Sequence, residues 1–306
     1  MTDRSVATAT AAGPTLADRP QVVEIQQRHK PLFRRFLAGL AKHCVLIGLS
    51  IIFLIPLAWM VTGAFKTAQD LNASPIVWFP DKITFDNFSQ AAQLFPLGRY
   101  FLNTFLICLL SMVGAIISSA MVGYGLARIP WRGRNVLFVI ILSTMMIPFY
   151  VTMFPAFEIW RTLGLTNTWA PLIVPHWLCV PIYIFLLRQF LLTIPGELSE
   201  SARIDGANEW QIFIRVVIPL IKPALVAVGL FQFMASWNDF LGPLIYLSNP
   251  NLYTISLGLN YFKGEYATEF GPLMAVSALA VVPIIILFFF AQRTFIEGIT
   301  LTGVKG

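Results

Sequence analysis

The chain has 306 residues, 57% of them hydrophobic and 12% charged, with a mean hydropathy of +0.73 and a net charge of +6. Soluble globular domains carry about one-quarter charged residues, so this composition excludes an ordinary water-soluble domain and points to a membrane protein. The basic residues lie in short clusters beside apolar runs, a pattern that orients a chain in a bilayer and argues against a nucleic-acid surface.

Residues 1–42 are polar, carry Pro14, Pro20 and Pro31, and include the basic cluster Arg28, Lys30, Arg34, Arg35 and Lys42. They are expected to form a mobile cytoplasmic tail, and they resemble no signal peptide because the apolar run begins too late. That run, 44–63, is ~30 Å long as a helix, enough to cross a bilayer. Five more apolar spans follow at about 101–127, 135–157, 170–190, 223–247 and 272–292. Runs of about twenty apolar residues are helices, because barrel strands span in ~10 alternating residues. The expected fold is therefore an all-α integral membrane protein with six transmembrane helices within residues 43–293, followed by a C-terminal tail, 294–306.

Lysine and arginine sort the connections, since cytoplasmic loops carry the excess. The loop 64–100 balances Lys66, Lys82 and Arg99 with Asp70, Asp81 and Asp86, whereas the next has Arg128, Arg132 and Arg134 and no acid. Glu158 and Arg161 then balance, Arg188, Arg203, Arg215 and Lys222 dominate the fourth connection, and Lys263 faces Glu265 and Glu269 in the fifth. The alternation puts both termini and the 195–222 connection in the cytoplasm of a multi-pass cell-membrane protein.

Within the spans, Pro56, Pro148, Pro175, Pro181 and Pro283 each remove a backbone hydrogen bond and favour a bend, although proline is also common in membrane helices. Ser111, Ala115, Ser119 and Gly123 recur every fourth residue and give the second span a face small enough for close packing. Cys44, Cys108 and Cys179 are far apart in apolar segments, with no metal-ligand spacing, and His29, His43 and His176 suit interface or packing positions.

The fourth connection is the longest of the cytoplasmic ones. Pro195 and Gly196 punctuate the exit from the bilayer, 197–205 can form a short helix, and Gly206 can take the left-handed conformation that ends it. A second helix is expected from Asn208, a good N-cap, toward Pro219, with Trp210, Phe213, Ile214 and Val217 along one side. The acidic Glu197, Glu200, Asp205 and Glu209 set the loop apart from a lipid-binding amphipathic helix, which presents mainly lysine and arginine.

This segment resembles the permease signature of bacterial ATP-binding-cassette (ABC) importers: Glu-Ala-Ala, three residues, Gly, nine residues, then Ile-x-Leu-Pro. Glu200, Ala202, Gly206 and Pro219 stand at that spacing, with Ser201, Val216 and Ile218 in place of the first alanine, the isoleucine and the leucine. The resemblance implies the type I ABC importer permease fold with a cytoplasmic coupling helix, in which Glu200, Ser201, Ala202, Asp205, Gly206 and Pro219 receive the push of an ATPase. It also implies partners: a second homologous permease, an ABC ATPase dimer that binds ATP and Mg, and an extracytoplasmic solute-binding protein. The chain itself carries no G-x-x-x-x-G-K-[ST] and is expected to be a transport subunit rather than an enzyme.

Four further stretches are similar to the carbohydrate-uptake branch, in particular the second membrane subunit of maltose-type importers. They are Trp78-Phe79-Pro80-Asp81 with Thr84 to Phe88, Asn103-Thr104 where the group has Asn-Ser, Trp237-Asn238-Asp239-Phe240-Leu241, and Gly298 to Gly306. A sugar or sugar-like solute is the implied cargo. Trp237, Asn238 and Asp239 either line its path with a stacking face and hydrogen-bond partners, or hold neighbouring helices together. An ion-coupled secondary transporter is the alternative class, and it would be expected to show two similar halves and intramembrane ion ligands.

Overall fold

The computed structural model describes the backbone of residues 32–262 and 269–302, and the side chains of 39–260, 262 and 269–292. The expected mobile tail over 1–31, the charged residues Lys263 and Glu265 within 263–268, and residues 303–306 lie outside the described residues. The chain divides at Ile55 and Pro56 into two units. The described part of the first is helical, belonging to α1 (Leu32–Ala64), and it exposes Leu46, Ile52 and Phe53. Leu32 to Lys42 contains good helix formers and no proline, which is why part of the expected tail is already helix.

In the second unit the helices α2 (Ala68–Leu71), α3 (Asp86–Leu94) and α4 (Leu97–Ala127) are followed by α5 (Arg134–Thr144) and α6 (Phe149–Thr162). Next come α7 (Ala170–Trp177), α8 (Pro181–Thr193), α9 (Glu197–Ile204) and α10 (Glu209–Gln211). A π-helical segment, Ile212–Val217, leads through α11 (Ile218–Leu220) into α12 (Lys222–Trp237), and α13 (Leu241–Tyr246), α14 (Ile255–Leu259) and α15 (Phe270–Thr302) complete the order. Among the described residues there is no strand.

Four stretches are long and apolar enough to cross a membrane: Gly39–Ala64, Leu97–Ala127, Ala170–Thr193, which joins α7 and α8, and Phe270–Gln292. The expected span 135–157 is the bent pair α5 and α6, at 96°, and the expected span 223–247 falls on α12 and α13; α12 also meets the Glu209–Leu220 segment before it at 78°. By length and composition the described residues form four spans, or up to six with each bent pair taken as one, in keeping with the six expected. Proline marks the breaks: Pro148 is the N-cap of α6 in an extended conformation, Pro181 opens α8 after the break at 178–180, and Pro223 opens α12, three places where its missing N–H belongs to an unpaired first turn. Pro56, Pro175 and Pro283 lie inside their helices instead. The tail expected from residue 294 is a helical continuation of α15 as far as Thr302.

α4 is the central helix of this unit and packs against α7, α8 and α12. Its small face makes this possible. Ser111 donates to the Leu172 carbonyl at 3.1 Å, Ala115 and Ser119 are fully buried, and a β-carbon added at Gly123 would lie 3.4 Å from Leu187 Cβ. One core cluster joins Tyr124, Leu187, Ile212, Phe213, Val217 and Val228, uniting α4, α8, α12 and the connection between them. A second gathers Phe95, Tyr100, Phe233, Trp237, Ile255 and Val276. Phe288, Phe289 and Phe290 are exposed on α15, an apolar surface suited to hydrocarbon.

Two of the sequence signatures are structural clamps. Asn87 donates to the carbonyls of Ala64 at 3.0 Å and Lys66 at 2.8 Å, satisfying groups at the end of α1. Asn103 donates to the carbonyls of Asn251 and Tyr253, each at 2.9 Å, and the Thr104 hydroxyl accepts from the Ile255 amide at 2.8 Å. Together they pin the loop before α14 onto α4.

Candidate functional site

Between α8 and α12 the chain forms a hinged pair of short helices. α9 ends in a Schellman motif: the Gly206 amide donates to the Arg203 carbonyl at 3.0 Å and the Ala207 amide to the Ala202 carbonyl at 2.9 Å. Gly206 has φ +84°, the left-handed region where a side chain costs roughly 1–2 kcal/mol. Asn208 then opens α10 with a capping box, its side chain accepting from the Gln211 amide at 2.8 Å while Gln211 Oε1 accepts from the Asn208 amide at 2.9 Å. Both ends of the turn are thus satisfied locally, which fixes the angle between the two helices.

A three-residue chain of hydrogen bonds ties the hinge to the bundle. Arg203 Nε donates to Glu209 Oε1 at 2.8 Å, across Gly206, and the Tyr124 hydroxyl of α4 donates to Glu209 Oε2 at 2.8 Å. The Arg203 guanidinium, with Tyr124 assisting, holds the Glu209 carboxyl below the usual glutamate range against an opposing effect of burial. The Tyr124 ring also packs on Phe213, 4.9 Å between centroids. Neither Tyr124 nor the pairing of Arg203 with Glu209 was among the expected site residues, because the partners are 85 residues apart along the chain in one case and lack a distinctive motif in the other.

The six expected coupling residues fall on this element. Glu200, Ser201, Asp205 and Gly206 are exposed, Ala202 is half-buried against the core, and Pro219 is exposed in α11. Beside them Ile204 is 87% exposed and Leu198 44%, so the outward surface of α9 combines apolar side chains with the acids Glu197, Glu200 and Asp205. The expected apolar side of the second helix is corrected: Phe213 and Val217 are buried together with Ile212 and Ile221, whereas Trp210 and Ile214 are exposed. The wide π-helical turn shifts the register by which side chains return to one face.

The structure divides the three expected path residues between two cavities. Trp237 is buried, donates from Nε1 to the Ala280 carbonyl at 3.1 Å and stacks on Phe233 at 5.5 Å, which joins α12 to α15. With Asn238, whose Nδ2 donates to the Met234 carbonyl at 2.8 Å, it lines a cavity toward α14 and α15. Asp239 lies on the other side, where its Oδ1 accepts from the Gly242 amide at 3.0 Å. It borders a cavity of about 450 Å³ walled by α4, α6, α7, α12 and α13, with Trp160, His176, Gln232, Ser236 and Tyr246 among its lining. Among the described residues no group of histidine, cysteine, aspartate and glutamate side chains could hold a metal ion.

A family profile described as the inner membrane component of binding-protein-dependent transport systems matches residues 115–300. An arabinooligosaccharides transport system permease protein of Halalkalibacterium halodurans is 37% identical over 263 residues, 84% of this chain and 93% of that protein. A sulfoquinovosyl glycerol transport system permease protein of Agrobacterium fabrum is 34% identical over 254 residues, 83% and 89% of the two chains. In fold, a chain of a bacterial ABC transporter involved in the import of the acidic polysaccharide alginate superposes with a TM-score of 0.74 at 24% identity, over 87% of this chain and 99% of that one. The matches span the hinged loop and the helices that carry it, and the chain belongs to the family of inner membrane components of binding-protein-dependent transport systems, as a multi-pass permease.

Proposed function

We propose that this chain is one of two membrane subunits of an ABC importer that carries an oligosaccharide across the cell membrane into the cytoplasm. The observation that carries the proposal is the hinge at Gly206, with α9 exposed on one side and bonded to α4 through Arg203, Glu209 and Tyr124 on the other. Relatives named for arabinooligosaccharides, diacetylchitobiose and lactose support the choice of cargo.

In this mechanism both termini and the hinged loop face the cytoplasm. A dimeric ATPase, which supplies the ATP and Mg sites, receives α9 in a cleft, with Glu200, Ser201, Ala202 and Asp205 at the contact and Ile204 as an apolar anchor. Burying a side chain of that size contributes roughly 1.5–3 kcal/mol. Closure of the ATPase moves α9, the fixed turn at Gly206 prevents the motion from being absorbed, and Ile212, Phe213 and Val217 pass it to α4 and α8. A loaded solute-binding protein delivers sugar from outside, and a second permease completes the path, to which Asp239 contributes from this subunit while Trp237 and Asn238 border the neighbouring cavity.

Reconstitution of the chain with its partners in proteoliposomes tests this. Uptake should require ATP hydrolysis and persist when proton and sodium gradients are collapsed. Uptake that survives loss of ATP hydrolysis and collapses with a gradient would establish the ion-coupled alternative instead.

A further inference from the structure

The cavity beside Asp239 has a chemistry that the coupling mechanism does not use. Its volume of about 450 Å³ falls within the ~300–1,000 Å³ of small-molecule sites. Trp160 of α6 lines it, and its indole has no hydrogen bond and no ring contact among the described residues. The Tyr246 hydroxyl and the His176 ring line it as well, likewise without hydrogen-bond partners among the described residues, although the Tyr246 ring is stacked on Phe157. Trp160, His176 and Tyr246 are each half-buried and their polar atoms are not among the buried unpartnered ones, so their hydrogen-bonding tips stay accessible to water or to a solute in the cavity. Gln232, by contrast, is internally occupied, donating to the Ser236 hydroxyl at 2.8 Å.

A flat apolar ring with hydrogen-bonding tips around it matches the two faces of a pyranose or furanose: C–H groups to lie on the indole and hydroxyls to exchange hydrogen bonds. Charge narrows the choice. No lysine or arginine is among the described lining residues, and the wall carries the carboxyl of Asp239. An anionic sugar entering here would leave its hydration for a space that offers it no permanent cation.

We propose that the cavity between Trp160 and Asp239 is a glycosyl-binding subsite of this subunit, which accepts an uncharged sugar ring and disfavours an anionic one. This rests on the reading of the chain as an importer permease and narrows its cargo to neutral oligosaccharides. Trp160 is the platform, the Tyr246 hydroxyl and His176 ring are hydrogen-bond partners of sugar hydroxyls, and Asp239 is the specificity-determining group.

The test uses the complete transporter in lipid nanodiscs, trapped with ADP and vanadate after ATP hydrolysis, and equilibrium dialysis of labelled arabinotriose, lactose, diacetylchitobiose and sulfoquinovosyl glycerol. At least one neutral sugar should bind about tenfold or more tightly than sulfoquinovosyl glycerol. Trp160→Ala should weaken that neutral sugar about tenfold, Trp160→Phe should retain most of the affinity, and Asp239→Asn should narrow the preference over the anionic probe. Equal binding of neutral and anionic probes, no neutral binding, or an unchanged affinity in Trp160→Ala would overturn the subsite. Stimulation of ATP hydrolysis by the loaded binding protein, measured on the same samples, separates the two levels. If it is present and sugar binding ignores Trp160, only the subsite fails; if the wild-type complex shows no stimulation, the importer reading fails with it.

Discussion

Replacing Tyr124 by phenylalanine removes one hydroxyl and leaves the ring on Phe213, so it isolates the bond between α4 and the hinge. A hydrogen bond to a charged group is worth roughly 1.5–3 kcal/mol, but the Glu209 side chain is 46% exposed and water competes for its oxygens, so a net loss of about 1 kcal/mol is expected. If uptake follows the population in which the loop is locked to α4, that loss lowers sugar carried per ATP hydrolysed about fivefold. Basal ATP hydrolysis and assembly with the ATPase should be retained, because α9 and its outward face are untouched. The assay measures labelled sugar uptake and phosphate release in the same proteoliposomes. Glu209→Ala, which removes the Arg203 pair as well, should lose at least as much, and the double variant with Tyr124→Phe should be less than additive because both changes remove the bond to Tyr124. Wild-type uptake per ATP in both single variants, or additivity within ~0.5 kcal/mol, would refute a coupling role for this bond.

The same contact has a defined pH dependence. Glu209 is held below its unfolded pKa of about 4.3, so its stabilisation is complete above that value and is lost as pH falls through the lower folded value; coupling through this bond should be flat between about pH 6 and 8. Gly206→Val should reduce uptake per ATP more than Gly206→Asn, since φ +84° strains a β-branched residue most and asparagine least, and parallel uptake measurements would check the order. Gly123→Leu should overpack α4 against α8 at a cost of about 1–3 kcal/mol, seen as a lower unfolding temperature of the solubilised complex, with Gly123→Ala closer to wild type. Asn87→Ala should lower that temperature as well, because it strips the carbonyls of Ala64 and Lys66 of a buried donor worth about 1–3 kcal/mol.

Much of this protein is legible along the chain. Apolar runs report membrane spans because the length of a helix across a bilayer is fixed, and Gly206 with Asn208 reports a turn because left-handed backbone and N-capping are local properties. The small face of α4 was visible as a four-residue repeat for the same reason. What it packs against was not, nor was the 96° break between α5 and α6, for a proline marks where a helix can end without saying how far it turns.

The candidate sites divide in the same way. Glu200 to Pro219 is found from its resemblance to the permease signature, yet the inward set of Ile212, Phe213 and Val217 depends on a π-helical register that ordinary helical periodicity does not anticipate, and the outward position of Ile204 shows only in the structure. Trp237, Asn238 and Asp239 are consecutive, and sequence grouped them; the end of α12 turns them toward different cavities. Trp160, His176 and Tyr246 share a wall with Asp239 only because α6, α7 and α13 converge there. Sequence by itself determined the membrane setting and the turn at Gly206, consequences of local hydropathy and backbone preference, while the resemblance to the permease signature singled out Glu200 to Pro219. Only the tertiary structure decided which helix the hinge grips and which side chains meet in the cavity, because those depend on contacts between segments far apart in the chain.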